Sequence, residues 1–348
     1  MYSDAELDAA VSAGVLTSEA AASFRAFALS RRSISAVDEE HFRLLTGFND
    51  IFVSIATLLI LIAVDWLGRQ SSQALGALLT ASVSWGLAEY FTRRRRMALP
   101  SILLLFGFIG GAFFLGFHLI SADWSPLRLS SAPLKFGIAA AVAALAATAH
   151  WRRFMVPITL AAGTVAAVGT IIGLLLGLIP DMRNFVSPLV FLGGLVAFAV
   201  AMHWDMSDRE RMTRRSDVAF WLHLFAAPLI VHPAFALLGV SGLGVFSGPM
   251  AGQIGVVNAA LAVAIYVGLA MVALAIDRRA LLVSALFYVL YAISALFRAA
   301  GSLTSSLALT ALIIGSGLLL LSAFWHRSRQ VVVGWLPAMI RARLPVVS

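Results

Sequence analysis

The stretch Asp217–Gly239 reads DVAFWLHLFAAPLIVHPAFALLG. As a helix rising 1.5 Å per residue it spans about 34 Å, enough to cross a hydrocarbon core of about 30 Å. It differs from a plain membrane span in carrying Pro228 and Pro233, and His223 and His232, inside its apolar run. Proline has no N–H, so the carbonyls of Leu224 and Leu229 lose their helical donors and the helix is expected to bend or loosen. With Asp217 at a membrane surface, Pro228 lies about 16 Å deep, near the midplane. Nine residues separate the two histidines, which puts them on opposite faces of a straight helix.

The rest of the chain supports a membrane setting. Of 348 residues 61% are hydrophobic and only 12% charged, and the mean hydropathy is +0.94. A soluble domain carries about 25% charged residues, so lipid must cover much of this surface. Ten apolar runs are expected to span, at about 50–67, 72–91, 98–119, 134–151, 154–179, 186–204, 217–239, 254–275, 280–299 and 302–325. The expected fold is an all-α membrane protein of about ten transmembrane helices. It divides into residues 1–46, a cytoplasmic N-terminal helical hairpin, 47–326, the ten-helix transmembrane domain, and 327–348, a basic interfacial C-terminal helix. Five spans in each half would orient the halves oppositely, the plan of inverted-repeat transporters. The drug/metabolite transporter superfamily is similar in span count alone, with no shared motif.

Charge sets the expected orientation. Arg25, Arg31, Arg32 and Arg43, Arg93–Arg96, Arg152, Arg153, Arg209, Arg211, Arg214, Arg215, Arg278, Arg279, Arg327, Arg329, Arg341 and Arg343 fall on one side of a ten-span chain. That is twenty of its 25 basic residues; Arg69, Arg128, Lys135, Arg183 and Arg298 fall on the other. Basic loops stay cytoplasmic, which places both termini inside a bacterial inner (plasma) membrane. The net charge of +8 is explained by this topology, so nucleic acid is not an expected partner. No h-region precedes the first span, so no cleavable signal is expected.

In the soluble preface, Ser3 and Glu6 have capping-box spacing for a helix over 4–12, Gly14 breaks it, and Thr17 caps a second helix over 18–31. A third helix is expected to start near Asp38-Glu39-Glu40. The opening LDAAVSAGVLTSEAAASFRAF resembles the short N-terminal helical preface of bacterial predicted polytopic membrane proteins of unknown function. That resemblance covers about 30 residues and implies no activity or site residue. The tail from Val331 to Leu344 is too short to span. Trp335, Met339, Ile340 and Leu344 set against Arg341 and Arg343 read as a helix lying in the interface.

Catalytic signatures are missing: there is no GxxxxGK[ST], HExxH or GxSxG. There is no Cys, and no two of the seven histidines stand three or four apart, so no catalytic residue, metal site or cofactor is assigned. Most charges sit at span ends, Asp50, Glu89, His150, His203 and Asp277 at the inner level and Asp65, His118 and Arg298 at the outer, as anchors among Trp66, Trp151, Trp204 and Trp325. Glu89 and Asp50 are one expected pairing, Asp65 and Arg298 another. The glycines crowding 107–116 and 163–177 read as helix-packing positions.

The candidate ligand or gating set is therefore His223, Pro228, His232 and Pro233, with Asn258, Tyr266, Tyr288 and Tyr291 as hydroxyl and amide groups available to the freed carbonyls. The scarcity of expected buried carboxylates argues against ion coupling. The leading functional expectation is a permease or exporter of a small or amphipathic molecule, gated by the kinked seventh span. The alternative is a scaffold that recruits a protein partner through its N-terminal hairpin; a membrane enzyme acting on lipid comes third. Because the chain has no native Cys, its topology is directly testable. Single-Cys variants at Ser72 should react with an impermeant thiol reagent applied outside, whereas those at Ser207 should not; the reverse pattern overturns the orientation.

Overall fold

A computed structural model of the chain describes residues 4–36, 48–122, 129–209, 211, 213–238, 255–300 and 306–345. The chain forms two compact units, Met1–Thr46 and Gly47–Val347. Each is described by itself.

The first unit is a helical hairpin, α1 (Asp4–Ser12) and α2 (Ser18–Ala36). Gly14, at φ 72°, takes the left-handed conformation that ends α1. Thr17 Oγ1 accepts from Ala20 N at 3.1 Å and caps α2. Leu7 and Ala21 are buried, and Arg25 pairs with Asp8 at 2.6 Å. The helix expected near Asp38-Glu39-Glu40, and Ser3 of the capping box, lie outside the described residues.

The second unit is built of α3 (Phe48–Arg69), α4 (Gln73–Phe91), α5 (Ala98–Ser121), α6 (Ala132–Phe154), α7 (Ile158–Leu178), α8 (Val186–Met206), α9 (Arg214–Ala236), α10 (Val256–Ile276), α11 (Ala280–Ala299), α12 (Ser306–Ala323), α13 (Trp325–Trp335) and α14 (Ala338–Arg341). The protein is thus all-helical, with no strand among the described residues. Seven of these helices, α3 and α5 to α10, are long and apolar enough to cross a membrane. Counting each sharply bent pair as one span raises this to nine: α11 bends by 46° about Leu286–Tyr288, and α12 meets α13 at 81°. The expected second span is present as α4, but Gln73, Thr80, Ser82, Ser84 and Glu89 among its 19 residues make it too polar to count on composition. The chain is a polytopic helical membrane protein.

Helices adjacent in sequence pack as neighbours along the chain: α4 on α5, α6 on α7, α8 on α9, α10 on α11. In the first three pairs the backbones come close because glycine removes the Cβ between them. A Cβ placed on Gly173 of α7 would sit 2.5 Å from the Cα of Gly137 on α6. Of the seven spans α9 is the most buried, half of it inside the bundle against 17–39% for the others. It reaches α7, α8 and α11 and contributes Val218 and Leu222, Ala227, and Val231 with Phe235 to three separate apolar clusters. Ala219, Ala226 and Ala227 are wholly buried, the small residues that let neighbours approach.

The glycine contacts separate two adjacent positions of α5. A Cβ on Gly111 would lie 2.8 Å from the backbone oxygen of Ala77, whereas one on Gly110 meets nothing within 4 Å. Gly110→Ala should be neutral or stabilising by up to about 1 kcal/mol, from helix propensity. Gly111→Ala should destabilise by about 1–3 kcal/mol, because backbone cannot give way. Thermal unfolding in detergent measures both; equal values would show that α4 and α5 are not in backbone contact.

Candidate functional site

The richest polar constellation lies at the end of the bundle where the arginine-bearing turns meet. Hydrogen bonds link these turns one to the next. Arg153 of α6 pairs with Glu89 of α4 at 2.6 Å. Arg214 of α9 reaches the carbonyl of Met155 at 3.5 Å. Arg211, between α8 and α9, pairs with Asp277, between α10 and α11, at 2.8 Å. Asp277 also accepts from the indole N–H of Trp325, at the start of α13, at 2.7 Å. Among the described residues, the four non-glycine residues with positive φ, Arg96, Met155, Arg211 and Asp277, all sit in these turns.

Asp277 determines the geometry. Its left-handed backbone, φ 59°, caps α10, a conformation Asp tolerates better than most residues. The reversal sends two neighbours in different directions. The Asp277 carboxylate faces Arg211 and Trp325, while the guanidinium of Arg278 enters the bundle and binds Asp205, at the end of α8, at 2.7 Å. The other oxygen of Asp205 lies 2.8 Å from Nε2 of His223 on α9. Arg278 also donates to the carbonyl of Ser216 at 3.4 Å. Asp205, His223 and Arg278 are 2%, 2% and 4% exposed. An ionised carboxylate can be buried this deeply because a guanidinium neutralises it and two donors satisfy it.

Nδ1 of His223 has no hydrogen-bond partner among the described residues, and the edge of the ring meets Phe198 at 5.1 Å between centroids. A protonated ring would place a second N–H there with no acceptor. The geometry therefore suits a neutral imidazole with its proton on Nε2, donating to Asp205.

His232 faces another helix. Its Nδ1 pairs with the hydroxyl of Tyr288 on α11, whose ring stacks on Phe235 at 4.7 Å. The two histidines thus address different neighbours, as their nine-residue spacing requires. Pro228 and Pro233 lie within α9, which continues as one helix through both. Beside the Leu229 carbonyl that Pro233 leaves without a helical donor, Gly194 brings the backbone of α8 in close: a Cβ there would be 2.8 Å from the Leu229 carbonyl carbon. Tyr288 goes to His232 rather than to a freed carbonyl. The Tyr266 hydroxyl is buried with no hydrogen-bond partner among the described residues, Tyr291 is half-buried, and Asn258 is exposed on α10.

Several end charges are more than anchors. Asp205 stood in no candidate set, yet it is the buried carboxylate on which the cluster rests. His150 is fully buried, 3.1 Å from the Thr159 hydroxyl and packed by the rings of Trp85, Phe108 and Phe154. Trp325 is buried rather than displayed in an aromatic belt. Glu89 binds Arg93 and Arg153 instead of joining Asp50, while Asp50 is buried at the start of α3. Asp65 pairs with Arg69 at 2.7 Å; the side chain of Arg298 lies outside the described residues. Among the described residues no three His, Asp or Glu side chains converge as metal ligands.

The same end receives the tail. Val332 and Val333 of α13 are buried against Leu274, Ile276, Leu281 and Leu282. Arg329 donates to the carbonyl of Pro345 at 2.8 Å, and Arg209 to that of Leu344 at 3.0 Å. Trp335, Met339 and Ile340 remain exposed.

No model of a protein family, no curated protein and no solved structure matches the chain.

Arg278→Gln leaves the Asp205 carboxylate buried without its counter-charge, and should cost about 3–5 kcal/mol of stability. Arg153→Gln, at a half-exposed pair, should cost much less. Denaturation in detergent compares them, and equal losses would deny the cluster its structural weight. Asp277 adds a pH signature. Burial alone would raise its pKa, but Arg211, the Trp325 N–H and Arg329 outweigh burial and hold the carboxyl below the usual carboxylate range. Its contribution is therefore complete above the unfolded value of about 3.9 and fades as pH falls through the lower folded value. Asp277→Asn, which still tolerates the left-handed turn, should flatten that acid-side loss in a thermal-stability scan from neutral pH downward.

Proposed function

We propose that the chain is a permease or exporter of a small or amphipathic molecule, with α9 as its moving element and the Asp205–His223–Arg278 cluster closing the basic end. The observation that carries this reading is a carboxylate, an imidazole and a guanidinium buried together among membrane-spanning helices. Ionisable groups in such places are costly and mark transport pathways or proton relays. Asp205 is a buried carboxylate that the sequence alone did not mark. Loss of the Asp205 charge would release Arg278 and loosen the tie between the α8–α9 pair and the α10–α11 turn. In this reading α3 to α12 are ten spans, five in each of two inverted halves. The arginine-rich turns and both termini then face the cytoplasm of a bacterial cell.

A second reading, a non-transporting scaffold that recruits a protein partner, is favoured by one observation. Half of α9 is buried inside the bundle, and the apolar cleft between α11 and α12 is lined by no α9 residue.

Accessibility separates the two without a known substrate. Ala227 on α9 and Ala139 on α6 are both wholly buried. If α9 moves, a small permeant thiol reagent should label Ala227→Cys, and Asp205→Asn should speed that labelling by about tenfold or more, while Ala139→Cys stays unreactive. An Ala227→Cys as inert as Ala139→Cys in both backgrounds would leave α9 fixed and the scaffold reading in place.

A further inference from the structure

We propose that the cleft between α11 and α12 holds one acyl chain of an anionic phospholipid, with its phosphate on Arg279. The inference does not depend on whether the protein transports. The cleft, of about 120 Å3, is walled by Leu282 and Leu286 of α11 and by Leu318 and Leu321 of α12, and ends at Arg279 and Trp325. The cleft opens onto an outward apolar face: Val283, which lines it, is 66% exposed, and Leu319 and Leu320 beside it are 74% and 59% exposed. Outward apolar faces on spanning helices meet lipid, so the first occupant available is a hydrocarbon chain.

The head of the cleft selects which lipid. Arg278, Arg211 and Arg153 are each ion-paired to a carboxylate. Arg279 is not: its guanidinium lies over the Trp325 ring at 4.7 Å and has no ion pair or side-chain hydrogen bond among the described residues. Its donors are left for a ligand, and an unpaired guanidinium fork best matches a phosphate diester whose charge no headgroup ammonium neutralises. Depth agrees as well. Trp325 stands where the chain turns by 81° from α12 into α13. If α12 spans, α13 lies along the membrane surface, and Arg279 is at the level of the headgroups. The cleft is smaller than a whole chain, so it grips a few methylenes, and the remainder runs down the exposed face of α12.

Purified protein in detergent would be offered dioctanoyl phosphatidylglycerol, dioctanoyl phosphatidylcholine or octanoate, and bound molecules counted by native mass spectrometry. The wild type should retain one phosphatidylglycerol at concentrations where phosphatidylcholine is not held. Arg279→Gln should weaken that retention about five- to tenfold, and Arg279→Lys should restore part of it. Leu318→Trp, which fills the cleft, should abolish it with Arg279 intact. Unfolding temperatures without lipid control for folding. Equal retention of the two phospholipids, an unchanged Arg279→Gln, or octanoate competing as well as phosphatidylglycerol would each overturn the assignment, as would a stable dimer dissociated by Leu318→Trp.

Discussion

A single buried ion pair, Asp205 with Arg278, constrains more of this structure than any other contact. Either charge alone, placed where these side chains lie, would cost several kcal/mol in lost hydration. Together, and with His223 and the Ser216 carbonyl completing the donors and acceptors, they are tolerable. The consequence is geometric. The end of α8, the first half of α9 and the turn into α11 cannot shift independently without exposing an unpaired charge to an apolar interior. The left-handed Asp277 is what allows one turn to serve two partners, since consecutive side chains diverge there. Its carboxylate then gathers Arg211 and Trp325, and Arg329 follows at 3.9 Å. Through these the C-terminal tail is tied to the same end.

The apolar part of the fold is arranged around α9 by a different rule. Lipid tails are as apolar as leucine, so burial alone does not draw helices together; close backbone approach does. Ala219, Ala226 and Ala227 supply it on α9, and Gly194 supplies it on α8. The two prolines weaken the internal hydrogen bonding of the helix that is most enclosed by neighbours. Those neighbours hold it as one helix, and they also shelter at least the Leu229 carbonyl, against which the Gly194 backbone lies.

What could be read from the sequence follows from the range of the interactions. Helix positions follow from local hydropathy, and Gly14 and Thr17 marked their turn because capping is settled within four residues. The clustering of basic turns at one end was legible because charge alternates with each crossing. Asp205 was missed because nothing local marks it. Its partners are 18 and 73 residues away, on helices whose facing sides no single-span pattern reveals. His150 was assigned to an interface for the same reason: it ends a span, and only the approach of Trp85, Phe108 and Phe154 encloses it. The polarity of α4 and the bends at α11 and at the α12–α13 corner made the span count coarser than ten regular runs implied.

The depth of the cluster bears on what the proposed permease could do with it. Separating a carboxylate from a guanidinium at the bilayer midplane would leave both in hydrocarbon, and no plausible substrate contact offsets that. Asp205 lies one residue from the end of α8, and His223 about 14 Å along α9 from its start. Were the helices of the proposed permease to part at that end and admit water, each charge would recover most of its hydration. A pair that is strong when dry and weak when wet has two well-separated states, which is what a gate requires. The neutral His232–Tyr288 contact, on the opposite face of α9 and nine residues further along, carries no such penalty. Motion of α9 would then cost most at the charged end and least at the other. The helix would pivot about its proline-loosened middle rather than slide as a whole.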